Sequence, residues 1–106
     1  MKKLEGKIIV DNLLQNVEIN YEKIESIEDY EGSECIIVNV MDPDLFLIFG
    51  KVNVIISKRG SKLSHLAILA REYKKTVIIA DCSDENISQT GNIRLKKEGD
   101  SVYIHF

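Results

Sequence analysis

A chain of 106 residues has room for one domain, since domains commonly hold about 100–150 residues, and it is too short for a multidomain enzyme. Its 44% hydrophobic, 29% charged and 7% aromatic residues place it with globular sequences and away from disordered or fibrous ones. A formal net charge of −3 argues against nucleic acid as the main partner, because such binders need a cationic surface to displace counterions from phosphates.

The only cysteines, Cys35 and Cys82, have neither C-x-x-C spacing nor a dense framework. They read as buried thiols of a reduced protein. Charge follows Met1 too soon for a signal peptide, and no apolar stretch approaches the roughly 20 residues of a membrane span. The expected location is therefore cytoplasmic, without membrane partners. No repeat, low-complexity tract or linker divides the chain, so residues 1–106 are expected to form a single unit.

In chain order, Ile8, Ile9 and Val10 form a short apolar run, and alternating Val17 and Ile19 suit a half-buried strand. Residues 21–33 are ambiguous. Ile24 and Ile27 fit one helical turn, whereas Glu31-Gly32-Ser33 resembles the turn before a strand. The runs 35–40 and 52–57 are nearly continuous and rich in β-branched residues, which marks strands covered on both faces. Between them, Asp42-Pro43 suits a helix start and Gly50 a stop, predicting a short helix over Leu45–Phe49 and one βαβ crossover.

A second crossover follows, through a loop from Lys58 to Leu63, an amphipathic helix from Ser64 to Lys74 and a strand over 76–80. Leu66, Leu69, Ala70 and Tyr73 form the apolar stripe of that helix, and Ala67 and Ala70 permit close approach to a sheet. Residues 93–106 read as a hairpin about Glu98-Gly99-Asp100. The pattern implies a mixed α/β sandwich with a partly parallel central sheet.

The constellation with chemical content is Gly60-Ser61-Lys62-Leu63-Ser64-His65, at the carboxyl end of a predicted strand and the start of a helix. Ligands of open α/β sheets bind at such edges, and a helix's first turn offers unpaired N–H groups to an anion. An imidazole nitrogen there can attack phosphorus. Lys58, Arg59 and Lys62 would favour the approach of an anionic donor. On spacing alone, an ordinary exposed histidine and a solvated basic loop fit as well. Asp42, Asp44 and Asp81 would line the strand ends, although helix capping accounts for Asp42 equally. His105 is expected to face solvent, and no metal site is predicted.

The stretch GSKLSHLAILAR, residues 60–71, resembles the signature Gly-Gly-x-Thr-Ser-His-x-Ala-Ile-x-Ala-Arg of the phosphohistidine swivelling domain of phosphoenolpyruvate-utilising enzymes. Gly60, Ser64, His65, Ala67, Ile68, Ala70 and Arg71 agree in place. CIIVNVMDPD at 35–44 is similar to the family's strand ending in Thr-x-Pro-Asp, ISKRG at 56–60 to its next strand and loop, and TGNIRLKKEGDSVYI to its closing β elements. The resemblance implies a swivelling β/β/α sandwich with βαβ crossovers and a C-terminal β-hairpin.

It also implies that His65 accepts a phosphoryl group, that Gly60, Ser61 and Ser64 support the phosphate, and that Arg71 either fixes the helix to the sheet or contacts a docking partner. Met41, Asp42 and Asp44 become possible site-lining residues. No cofactor is expected on this domain alone; phosphoenolpyruvate or ATP would be the donor, held by a phosphoenolpyruvate-binding or nucleotide-binding partner acting in trans.

Departures from the pattern favour an alternative reading. Ser61 replaces a glycine, and Leu63 and Met41 replace threonines, so two hydroxyl donors are missing and a non-catalytic binding or regulatory module is the alternative. A detached subunit of a split phosphotransferase is the third. Lys74-Lys75-Thr76 stands where the family has Gly-Ile-Pro, which predicts a differently shaped helix exit.

Overall fold

The computed structural model describes residues 2–106. Among these residues are seven strands: β1 (Lys3–Val10), β2 (Asn16–Lys23), β3 (Cys35–Val38), β4 (Val54–Ser57), β5 (Thr76–Ile79), β6 (Thr90–Glu98) and β7 (Ser101–His105). One α-helix, α1 (His65–Glu72), lies between β4 and β5, and 3₁₀ turns occupy Ile27–Asp29 and Pro43–Ile48. The sheet is mixed. β2, β3, β4 and β5 pair in parallel in that order, while β1–β5, β1–β7, β6–β7 and β2–β6 are antiparallel, so the pairings form a closed ring.

The β-branched runs form strands because both of their faces are covered. Cys35, Ile37, Val54, Ile56 and Ile78 point into one apolar cluster with Ile93, Leu95, Val102 and Ile104 of the C-terminal hairpin. Their neighbours Ile36, Val38, Ile55 and Val77 point the other way, against Leu45 and Phe49 of the Pro43 turn and Leu66, Ala67 and Ala70 of α1. A strand between two cores has no polar face to show water, and hence no alternation. The hairpin, covered on one face, alternates as expected. Gly99 takes φ +61° in its turn, a conformation that favours glycine.

Four details differ from the sequence reading. The run 35–40 leaves the sheet after Val38, and the run 52–57 joins it at Val54. The Asp42-Pro43 helix is a 3₁₀ turn, capped by an Asp44 N–H donated to the Asp42 side chain at 2.9 Å. Tyr73 closes α1 but stands 54% exposed, its ring edge-on to Phe46 and Phe49, rather than inside the stripe.

The exit of α1 makes a left-handed turn although its sequence has no glycine there. Lys74 adopts φ +58°, the left-handed conformation usually given to glycine, with Lys75 N–H bonded to Ala70 O at 2.8 Å and Lys74 N–H to Arg71 O at 3.3 Å.

The ambiguous segment 21–33 continues β2 to Lys23 and then turns back around Glu22, which is 6% exposed. The Glu22 carboxylate accepts from the N–H groups of Glu31, Gly32 and Ser33 and from the Ser33 hydroxyl. Burial alone would raise its pKa, but these donors outweigh burial and hold it below the ordinary carboxyl value. Both cysteines are buried and free, as expected. Burial, with Cys82 nearby, lifts the Cys35 thiol well above its usual pKa, and burial first of all pushes Cys82 up to about 11. No helix of the described residues is long and apolar enough to cross a membrane.

Candidate functional site: the loop before α1

Strand β4 ends at Ser57, and the loop 58–64 carries the chain over the carboxyl edge of the parallel strands into α1. The loop is anchored at its base. Lys58 N–H donates to Val38 O at 3.1 Å and Arg59 N–H to Asn39 O at 3.2 Å, while the buried Ser57 hydroxyl donates to Arg59 O. At its tip, Ser61 folds the chain back by accepting the Leu63 N–H on its hydroxyl oxygen at 3.3 Å and the Ser64 N–H on its carbonyl at 3.2 Å.

Ser64 is the helix cap. Its side-chain oxygen accepts the Ala67 N–H at 3.1 Å and its carbonyl accepts the Ile68 N–H at 3.1 Å. Those bonds engage the third and fourth amides of the turn. Among the described residues, the His65 and Leu66 N–H groups have no partner, as expected for the first amides of a helix. The Ser64 oxygen is therefore occupied, but its hydroxyl hydrogen remains available to an acceptor.

His65 is the first residue of α1, and its side chain is exposed. Leu66 and Ala67 turn inward and hold the helix against β1 and β5, which leaves the ring on the solvent side. A group bearing negative charge on that ring would meet the positive end of the helix dipole and two free amides. Two apolar side chains flank it, Leu63 at 87% and Ile68 at 42% exposure. Ile68 falls outside the predicted stripe, so its exposure was readable from the helical spacing. That of Leu63 depends on the loop's path and was not.

The other predicted residues divide. Gly60 and Met41 meet: a Cβ on Gly60 would stand 2.6 Å from Met41 Sδ and 3.2 Å from Ile79 Cδ1. The absence of a side chain lets the loop lie on Met41. Asp42 and Asp44 instead line a cavity with Glu25, Glu28 and Val40, to which no residue of the 58–65 loop contributes. Arg71 is exposed in the last turn of α1, and among the described residues it has no hydrogen bond or ion pair to the sheet. Its expected role in fixing helix to sheet is thus not realised; the alanines do that by packing. Lys58 lies 4.0 Å from Asp81. His105 is half-buried on β7, between Lys3 and Arg94 of the neighbouring strands, rather than fully open to solvent.

This arrangement, with a histidine at the first position of a helix behind a glycine loop, is accompanied by a match over most of the chain. The family described as the mobile domain of PEP-utilising enzymes matches residues 31–105. The chain belongs to this family. It is also 27% identical over 110 residues to phosphoenolpyruvate synthase of Escherichia coli strain K12, an alignment covering 95% of the chain and 14% of that protein. The mobile domain carries the phosphohistidine in PEP-utilising enzymes, and the matched range includes the loop 60–65 and His65.

Proposed function

We propose that His65 accepts a phosphoryl group from a phosphoenolpyruvate- or ATP-using partner and passes it on in trans. The observation that carries this reading is the exposed ring at the first position of α1, beside two amides without partners. In the loading step an imidazole lone pair attacks phosphorus. One N–P bond forms as the P–O bond to the donor's leaving group breaks, and the reverse displacement delivers the group to the acceptor. Gly60, Ser61 and the Ser64 hydroxyl would steady the phosphoryl oxygens, with Lys58, Arg59 and Lys62 drawing the donor in. Arg71, exposed on α1 and without an ion pair among the described residues, is assigned to partner docking.

The donor and acceptor sites are assigned to other proteins, consistent with an alignment to only 14% of phosphoenolpyruvate synthase. Residues 1–106 would move as one swivelling unit in the cytoplasm, the two apolar clusters on either side of the parallel strands forming the β/β/α layers. Incubation with labelled phosphoenolpyruvate or ATP and host extract is expected to give an acid-labile, base-stable phosphoprotein that His65→Ala abolishes. Equal labelling of both proteins would contradict the assignment.

A non-catalytic module is favoured by one observation: Met41, in the place of a hydroxyl donor, fills the space against Gly60 with a thioether. Labelling that appears only in the double variant Met41→Thr, Leu63→Thr would establish that reading. A stable stoichiometric complex on pull-down would instead identify the subunit of a split phosphotransferase.

A further inference from the structure

Beside the His65 loop, the carboxyl ends of the four parallel strands enclose a second polar space. Lys23 ends β2, Asn39 follows β3, Lys58 follows β4, and Ser83 comes from the segment after β5; all four line a cavity of about 230 Å³. No residue of 60–65 lines it.

Its donors are placed in advance of any ligand. Lys23 Nζ donates to Asp84 O at 3.3 Å and Ile87 O at 3.1 Å, which fixes the ammonium and leaves one of its three hydrogens free. The Asn39 carboxamide has no hydrogen-bond partner among the described residues. Among the described residues, Lys58 has only the 4.0 Å approach of Asp81. Two cations and an amide brought together from three strands suit an oxyanion, and strand carboxyl edges are where α/β sheets place their ligands. Glu25 is the acid on the rim. The volume lies below the roughly 300–1,000 Å³ of drug-sized sites, which limits the ligand to a few heavy atoms.

We propose that this cavity, between Lys23, Asn39 and Lys58, binds a single phosphate group, as the free ion or a small phosphate ester, at a site separate from His65. Because Lys58 lies two residues before Gly60, a bound phosphate would tie the ends of β2, β3 and β4 to the base of the loop.

Amide NMR of the full chain, titrated with inorganic phosphate or glycerol phosphate against sodium chloride of equal ionic strength, tests the proposal without any phosphoryl transfer. Saturable shifts are expected at Lys23, Asn39, Lys58 and Ser83, with binding weakened about tenfold by Lys58→Met or by Asn39→Ala. Glu25→Gln is expected to tighten it, and His65→Ala to leave it unchanged. Saturation by both ligands identifies the phosphate group as what is recognised, and saturation by inorganic phosphate alone identifies the free ion. Shifts confined to Ser61–Leu66, shifts that never saturate, or unchanged binding in both weakening variants would overturn the site. Since none of these results depends on His65 labelling, failure here is distinguishable from failure of the carrier reading.

Discussion

Two loops of this domain gather backbone amides, and they use them oppositely. Around Glu22, the amides of 31–33 close on a carboxylate from the chain itself, with the Ser33 hydroxyl as a further donor. Gly32, at φ +118°, supplies the left-handed backbone that aims its amide inward. In the loop before α1, Ser64 occupies the later amides of the helix and leaves those of His65 and Leu66 open beside an exposed ring. Engaged donors hold structure together; open donors await an anion from outside. Substitutions in the first loop should therefore change stability and spare phosphorylation, and those in the second should do the reverse.

The largest expected loss of stability is at Glu22. Glu22→Gln keeps the shape but sets an NH₂ group against amide donors, at a cost of about 2–3 kcal/mol by denaturant unfolding, with His65 labelling unaffected. The pH dependence follows from the lowered Glu22 pKa. The carboxylate's contribution is whole above the ordinary value of 4.5 and is lost as pH falls from there through its lowered folded-state value. A melting profile of wild type should drop in that acid range, and the profile of Glu22→Gln should drop less steeply. Parallel profiles would remove Glu22 as the cause.

Ser64→Ala sharpens the contrast, because Ser64 belongs to both classes. Loss of the cap costs about 1 kcal/mol, while loss of the free hydroxyl hydrogen should shorten the lifetime of the phosphoprotein, measured by release of label over time. Met41→Thr with Leu63→Thr should lengthen that lifetime by restoring two donors. The smallest effect is expected at Lys74, whose left-handed backbone at φ +58° carries a side chain. Lys74→Gly should raise stability by about 0.5 kcal/mol in denaturant and leave the label lifetime alone.

Much of this architecture was legible locally. The apolar runs over 35–40 and 52–57 announce strands buried on both faces, the run 76–80 announces a further strand, and Ser64 announces the start of α1. What escaped the sequence depends on residues far apart in the chain. Nothing near Glu22 reveals that amides nine to eleven positions later will surround it. The contact of Gly60 with Met41 requires β3 and β4 to be in register first. Lys74 shows a tertiary demand overriding a local preference: the chain must return from α1 into β5, and it takes the left-handed turn even without glycine.

The chain's two histidines permit the most direct test of the carrier reading, since His105 sits on β7 with no helix start beneath it. Phosphoramidate, a small chemical donor that needs no partner protein, can be offered to both rings while phosphorus NMR and peptide mapping follow each adduct. Phosphate on His65 is expected to form readily and to outlast any on His105, and Ser64→Ala to narrow the gap. Equal formation and equal decay on the two rings would contradict the carrier reading.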